Sequence, residues 1–232
     1  MINTELNIMV KTINIEGYEC HLAQGAGATE LGYLLYPAIV PFEDRWLERM
    51  AGELNVSLVT VYVPADDWNN VLTPWPEPPE AKGFPPFDGK AGEFLTLLQT
   101  KIIPQIEENI TGLQHRDLIG VSLGGLFTLW QWMGCDTFRS IASLSGSFWY
   151  PGFIDWFSGI KIPSKEGKAY FLLGEEEPKA HVKAYQSVGV NTERIVERFK
   201  SAGIAVEFEW VPGNHFSRPV HRAERALRAL YS

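Results

Sequence analysis

The sequence predicts an α/β fold in which a mostly parallel central sheet is covered by helices on both faces. Short apolar or β-branched runs of strand length alternate with longer runs of helical periodicity along most of the 232 residues. Polar residues follow directly after several predicted strands, as they do in parallel sheets whose functional groups gather at the carboxyl ends of the strands. We expect residues 1–232 to form one domain of this class.

The part of the chain before Pro64 predicts the first strands and one helix. Residues 8–23 predict one or two strands, and the apolar run 32–36 predicts another. Residues 43–54 have the apolar spacing of an amphipathic helix. The β-branched run 57–63 is typical of a central strand.

Residues 64–87 predict a long irregular insertion, because they hold seven prolines together with Trp68 and Trp75. Insertions of this length are uncommon unless they cover something or are disordered. Because the segment follows a central strand, it should lie over the end of the sheet where the polar groups gather. We expect it to cover a substrate with its tryptophans, and the alternative is a role in packing alone.

The rest of the chain continues the alternation of strands and helices. Asp88 is a suitable N-cap for a long helical pattern that runs to Ile110 and that Pro104 should kink or split. Pro219 stands where the first turn of a last helix tolerates proline best. The other predicted strands are residues 117–121, 140–144, 169–173 and 205–211, and the other predicted helices are residues 123–133 and 191–202.

The pentapeptide Gly-Val-Ser-Leu-Gly at 120–124 lies between a predicted strand and a predicted helix. A sharp turn between a strand and a helix lifts its serine clear of the sheet, where a base can activate the hydroxyl as a nucleophile. Gly120 and Gly124 lack the side chains that would collide across such a turn. The bare pattern also occurs in flexible turns, so Ser122 is a candidate nucleophile only if an acid and a histidine follow it.

Both partners follow in the order that this motif requires. The buried run 169–173 leads into Gly174 and three glutamates, of which any one could be the acid. Residues 205–211 alternate polar and apolar side chains, which predicts a half-buried strand near the edge of the sheet, and they lead to His215. The other four histidines do not follow a strand beyond the acid loop; they are His21, His115, His181 and His221.

Composition disfavours several other classes of protein. The formal charge is −8 and the basic residues are dispersed, so nucleic acid is not an expected partner. Cys20 and Cys135 are too few and too far apart for a zinc cluster, and no paired histidines have metal-ligand spacing. We expect no metal and no cofactor.

The residues before Val10 include an acid and several polar side chains where a secretory signal needs a basic start and an apolar core. We therefore expect them to belong to the mature protein. No apolar run approaches the length that spans a bilayer, so we expect no membrane association. With two cysteines, a cytoplasmic location is the simplest expectation, and the alternative is that the two cysteines pair.

Four motifs together resemble those of one enzyme superfamily. They are Gly120-Val-Ser-Leu-Gly-Gly125, Ser145-Gly-Ser-Phe-Trp-Tyr150, Leu173-Gly-Glu175 and Pro212-Gly-Asn-His215. Over nearly its whole length the chain resembles α/β-hydrolases of the esterase branch that includes esterase D-like and siderophore-ester hydrolases. The resemblance implies the α/β-hydrolase fold, Ser122 as nucleophile and His215 as base.

The resemblance also suggests the remaining site residues. The usual Gly-x-x-Asp/Glu spacing, counted from Gly174, points to Glu177 as the acid, with Glu175 as the alternative. One oxyanion donor should be the N–H of Leu123, directly after the nucleophile. The second should follow an earlier strand, where Ala38 is our candidate because the His-Gly-Gly-Gly motif of many lipases is missing.

A second aromatic segment, residues 148–153, follows the predicted strand 140–144, which is the next strand after Ser122. We expect Trp149 in this segment to contact substrate together with Trp68 and Trp75, and the alternative for the segment is core packing. An aromatic pocket would suit an ester with a bulky or apolar acyl or alcohol portion.

The expected function is hydrolysis of a small-molecule carboxylic ester through a Ser-Glu-His triad and an acyl-enzyme intermediate. A thioesterase, a peptidase or an acyltransferase would use the same triad. A binding protein without catalytic activity on the same fold is the other alternative. The sequence leaves the substrate and the oligomeric state open.

Overall fold

The computed structural model describes residues 8–80 and 83–232. Residues 1–7, which we expect to belong to the mature protein, lie outside the described residues. Residues 81–82 of the predicted insertion lie outside them as well.

The described residues form a large, mostly parallel sheet and a small antiparallel ribbon. The strands are β1 (Val10–Ile15), β2 (Tyr18–Ala23), β3 (Glu30–Pro37), β4 (Ser57–Val63), β5 (Pro76–Glu77), β6 (Phe87–Asp88), β7 (His115–Val121), β8 (Ser140–Leu144), β9 (Lys168–Gly174) and β10 (Ala205–Val211). Eight strands form the large sheet in the order β1-β2-β4-β3-β7-β8-β9-β10, and β5 pairs with β6. The strands from β4 to β10 in that order run parallel, whereas β2 pairs antiparallel with both of its neighbours, β1 and β4. As predicted, β10 lies at an edge of the sheet.

Helices cover both faces of this sheet. They are α1 (Asp44–Leu54), α2 (Ala65–Val71), α3 (Ala91–Leu97), α4 (Ile103–Glu107), α5 (Leu123–Gly134), α6 (Phe153–Gly159), α7 (Val188–Ser201) and α8 (Pro219–Tyr231). Helices α1 and α8 pack on one face, and α3, α5, α6 and α7 pack on the other. None of the described helices is both long and apolar enough to cross a bilayer.

Strand β3 illustrates why both faces of the sheet need a cover. Leu31, Tyr33 and Leu35 belong to the core beneath α5, whereas Leu34 and Tyr36 belong to the core beneath α1 and α8. Since successive side chains of a strand point to opposite faces, a continuous apolar run fills two cores at once. The predicted α/β fold is confirmed.

The insertion after β4 is more regular than the sequence predicts. Residues 65–71 form helix α2, and the short strands β5 and β6 pair across the rest of the segment. Pro64 immediately precedes α2, and its fixed φ suits a helix start, so this proline begins a helix rather than preventing one. The expectation of an irregular insertion is therefore wrong for its first part.

The long helical run after β6 is split, as predicted. A π-helical segment, Leu98–Ile102, separates α3 from α4, and Pro104 lies in the first turn of α4. Proline cannot donate the backbone hydrogen bond that a continuous α-helix needs, and the wider π turn accommodates the interruption.

Candidate active site

Ser122 lies in the turn between β7 and α5. Its backbone adopts φ 55° and ψ −122°, a conformation that is strained for a residue other than glycine. The turn is so tight that a Cβ at Gly120 would lie 2.2 Å from the carbonyl oxygen of Gly124. Glycine is therefore needed at position 120, and the half-buried Ser122 side chain stands at the carboxyl end of the sheet.

His215 lies in the loop between β10 and α8. Gly213 starts this turn at φ 107°, and a Cβ there would lie 2.5 Å from Ser217 Oγ. The imidazole Nε2 lies 3.0 Å from Ser122 Oγ, and Nδ1 lies 2.9 Å from Glu177 Oε2. An imidazole with its proton on Nδ1 donates to Glu177 and accepts from the Ser122 hydroxyl, so the three side chains form one hydrogen-bonded chain.

The carboxylate of Glu177 is buried directly after β9. Its Oε1 accepts hydrogen bonds from the Ser145 hydroxyl at 2.7 Å, the Gly174 N–H at 2.8 Å and Arg222 at 2.9 Å. Burial by itself raises the pKa of this carboxyl, but hydrogen bonds from His215, Ser145 and Gly174 outweigh burial and hold the pKa below its ordinary value. Glu177 is therefore ionised at neutral pH.

The other glutamates of this loop are exposed. The backbone N–H of Glu175 donates to the Val211 carbonyl at 2.9 Å, which continues the pairing of β9 with β10. The structure thus brings Glu177, and not the alternative Glu175, to His215.

Arg222 on α8 is a participant that the sequence does not single out. Its side chain is 3% exposed and pairs with the equally buried Glu177. It also donates to the Ser145 hydroxyl and, at 2.6 Å, to the carbonyl of Asn214. Arg222 therefore balances a buried negative charge and ties the His215 loop to α8. Helix α8 carries three arginines, and nothing in the sequence marks this one as buried.

The two predicted oxyanion donors differ in the structure. Leu123 is the first residue of α5, where a helix leaves its N–H groups without intrahelical acceptors, and it lines the cavity beside Ser122. The N–H of Ala38 donates to the Val63 carbonyl at 2.9 Å, because the pairing of β3 with β4 continues past Pro37. The expectation that Ala38 offers a free donor is therefore wrong.

A cavity of about 780 Å³ opens beside Ser122 and His215. Aromatic side chains from α2, from the β5–β6 segment and from the connections after β8, β9 and β10 form much of its wall; they are Trp68, Phe84, Phe87, Trp149, Tyr185 and Phe216. Trp149 packs against Tyr185 with ring centroids 4.6 Å apart. The structure thus brings two of the three predicted substrate-contacting tryptophans, Trp68 and Trp149, to the cavity.

Trp75 has a different environment. Its ring packs against Tyr150, Phe153 and Trp156, and its indole N–H donates to the Pro151 carbonyl at 3.0 Å. These contacts fix the β5–β6 ribbon against the start of α6. The expectation that Trp75 faces a substrate is therefore wrong, and the packing alternative describes it.

Two serines in the loop after β8 complete the polar side of the site. Ser145 contacts Glu177, and Ser147 Oγ lies 3.4 Å from Ser122 Oγ. The motif Ser-Gly-Ser at 145–147 was a signal that could have identified both, since alternate residues of one short loop can reach two neighbouring groups.

Across the described parts of the chain, no three His, Cys, Asp or Glu side chains lie together in a way that could hold a metal ion.

Comparisons with known proteins identify a family and several relatives. A family model described as Putative esterase matches residues 42–215. The chain is 26% identical over 150 residues to the uncharacterized protein YbbA of Bacillus subtilis, which covers 63% of this chain and 60% of that protein. It is 42% identical over 60 residues to the apo-salmochelin esterase of Escherichia coli, which covers 25% of this chain and 19% of that protein. The chain thus spans less than two thirds of the length of either relative.

A solved structure shares the fold over most of both chains. The IroE-like serine hydrolase from Shewanella oneidensis matches with a TM-score of 0.79 at 17% identity, covering 96% of this chain and 80% of that one. The range that the family model matches includes Ser122, Glu177 and His215. The chain has the α/β-hydrolase fold and belongs to the Putative esterase family.

Proposed function

We propose that the protein is a serine esterase that hydrolyses carboxylic esters with Ser122, His215 and Glu177 as its catalytic triad. The observation that carries the proposal is the continuous chain of hydrogen bonds from Glu177 through His215 to Ser122 at the wall of a large cavity. Membership in the Putative esterase family supports the choice of an ester as substrate.

In the first half of the reaction, Ser122 Oγ attacks the ester carbonyl carbon while His215 Nε2 takes its proton. The imidazolium that forms is stabilised by Glu177, which is ionised and already hydrogen-bonded to Nδ1. His215 then gives the proton to the departing alcohol oxygen, and the acyl group stays on Ser122.

In the second half, water repeats the attack and releases the acid. The carbonyl oxygen carries negative charge in both tetrahedral intermediates, and we assign the N–H of Leu123 as one donor to it. The strained turn at Ser122, with the start of α5 directly after it, supports a nucleophile elbow.

The substrate that we propose is a small-molecule ester with a bulky aromatic portion. The aromatic wall and the volume of about 780 Å³ support this class, with Trp68 and Trp149 as substrate contacts. A related protein is named as an apo-salmochelin esterase, which supports an ester as the substrate, and the aromatic wall makes bulky aryl esters the first compounds to test.

The same triad would serve a thioesterase, a peptidase or an acyltransferase, and the fold alone would serve a binding protein. Family membership favours the esterase over these alternatives. Hydrolysis rates on matched ester, thioester and amide substrates would separate the enzymes. A binding protein would not react with a fluorophosphonate probe for active serines.

We also assign the protein to the cytoplasm. Cys20 and Cys135 are both free thiols, as is usual where the environment is reducing. Burial raises the pKa of the Cys20 thiol to about 12, so this side chain does not compete with Ser122 as a nucleophile.

The decisive test replaces Ser122 with alanine. Ser122→Ala should lower kcat for p-nitrophenyl acetate by about 10⁶-fold, because the nucleophile of a triad is lost while the fold keeps its packing. His221→Ala is a matched control, since His221 is exposed on α8, and it should keep the wild-type rate. Hydrolysis by purified Ser122→Ala at the wild-type rate would refute the proposal.

A further inference from the structure

Ser147 places a second hydroxyl beside the candidate nucleophile. Ser147 is 1% exposed, yet it lines the cavity, and its Oγ lies 3.4 Å from Ser122 Oγ. Its backbone is fixed on both sides, because its N–H donates to the Ser122 carbonyl and its carbonyl accepts from the Tyr150 N–H, each at 3.0 Å. Within the described residues, Ser122 is the hydrogen-bond partner of this hydroxyl.

The order of strands gives the side from which Ser147 approaches Ser122. Ser147 follows β8, which lies beside β7 in the direction of β9 and β10. The loops after β9 and β10 hold Glu177 and His215. The loop after β3, from which this fold takes a second oxyanion donor, lies on the other side of β7. Ser147 is therefore on the side of Ser122 where His215 exchanges protons.

We propose that Ser147 is a further catalytic residue that hydrogen-bonds the water attacking the acyl-enzyme. This inference rests on the proposed function. The water oxygen bonds to the acyl carbon while His215 Nε2 takes one of its protons, and Ser147 Oγ accepts a hydrogen bond from the other. The bond from the acyl carbon to Ser122 Oγ then breaks, and Ser122 Oγ recovers the proton from His215.

The position suits this role for a second reason. By microscopic reversibility, the attacking water and the departing alcohol oxygen occupy the same place next to His215 Nε2. A hydroxyl within reach of Ser122 Oγ on that side can contact an oxygen held there. Since its backbone is already fixed and its side chain is buried, Ser147 pays little conformational entropy to orient that oxygen.

Burst kinetics with p-nitrophenyl acetate test the proposal on the wild type and Ser147→Ala. We expect Ser147→Ala to lower kcat by about 10-fold, because one transition-state hydrogen bond is lost in deacylation. The value of kcat/KM should change by less than about twofold, since it reports acylation and p-nitrophenolate leaves without help. The acetylated enzyme should accumulate, as a full burst and as a mass increase of one acetyl group.

Ser145→Ala is the matched comparison from the same loop. Ser145 contacts Glu177 and acts on both half-reactions through His215, so its loss should lower kcat/KM as well as kcat. If Ser147→Ala behaves like Ser145→Ala, or leaves both constants unchanged, the proposal is wrong. A failure of the proposed esterase function looks different, because the wild type then shows no burst and Ser122→Ala retains its rate.

Discussion

Two ion pairs with buried carboxylates lie at opposite ends of the sheet, and they differ in how the two carboxylate oxygens are used. At the amino end, Asp117 pairs with Arg139 through both oxygens, and Oδ1 also accepts the Ser140 N–H at 2.8 Å. At the carboxyl end, Glu177 Oε1 accepts a hydrogen bond from Arg222, and Glu177 Oε2 is hydrogen-bonded to His215. We call these the amino-end pair and the carboxyl-end pair.

On the proposed function, burial and pairing do not by themselves make a carboxylate catalytic. The amino-end pair uses both oxygens of its carboxylate to hold β7, β8 and the arginine together. In the carboxyl-end pair, Glu177 Oε1 accepts three hydrogen bonds, and Oε2 is hydrogen-bonded to His215, which lines the cavity. The first pair should therefore contribute to stability alone, and the second to stability and to catalysis.

Removing each carboxylate charge gives the largest expected difference. Glu177→Gln should lower kcat by about 10⁴-fold, because the amide cannot stabilise the imidazolium of His215. Asp117→Asn should lower the melting temperature and leave kcat of the folded enzyme unchanged. Steady-state kinetics and thermal unfolding measure the two effects. A larger loss of kcat in Glu175→Gln than in Glu177→Gln would contradict the assignment of the acid.

Replacing the arginine of each pair should give a smaller difference in kcat than replacing the carboxylates. Arg222→Met should lower kcat on the order of 10²-fold, because Glu177 loses its fixed position under His215. It should also cost about 3 kcal/mol of stability, since it leaves a buried charge unpaired. Arg139→Met should cost less, because Arg139 is 28% exposed, and kcat should not change. If Arg222→Met and Arg139→Met lost kcat equally at a temperature where both are folded, the two ion pairs would not differ in their contribution to catalysis.

Trp68 and Trp75 should also differ in whether they affect activity or stability, with smaller effects than the charged residues. Trp68→Ala should raise KM for bulky aryl esters by about 10-fold with little effect on acetate esters, because Trp68 lines the cavity. Trp75→Ala should instead destabilise the fold by about 2 kcal/mol, since its ring is packed between Tyr150 and Trp156. Substrate profiles and urea unfolding measure these outcomes. A shift of substrate preference in Trp75→Ala alone would reverse both assignments.

Local order in the sequence predicts the sheet, Ser122, His215 and an acid among the three glutamates after Gly174, and the family resemblance supplies the choice of Glu177. Strands β4, β8 and β10 have the predicted bounds, since short apolar or alternating runs flanked by turns determine them. Ser122, Glu177 and His215 follow three parallel strands, whose carboxyl ends must meet at one edge.

The remaining site residues depend on contacts that are distant in sequence. The N–H of Ala38 is occupied because β3 and β4 pair one residue further than the apolar run indicates. Arg222 is buried only because α8 packs against the loop that carries Glu177. Trp68 and Trp75 share one insertion, and only the fold separates a cavity wall from a packing contact.

The pairing of Glu177 with Arg222 has a consequence for the order in which the protein becomes active during synthesis. The two residues are 45 positions apart, and Ser122 precedes His215 by 93. Chains grow from the amino end, so the turn that carries Ser122 leaves the ribosome long before α8 does. Until α8 docks, the carboxylate of Glu177 lacks the arginine that pairs with it, and the His215 loop lacks its hydrogen bond to that arginine. On the proposed function, a nascent chain therefore cannot cleave esters until α8 has folded onto the sheet.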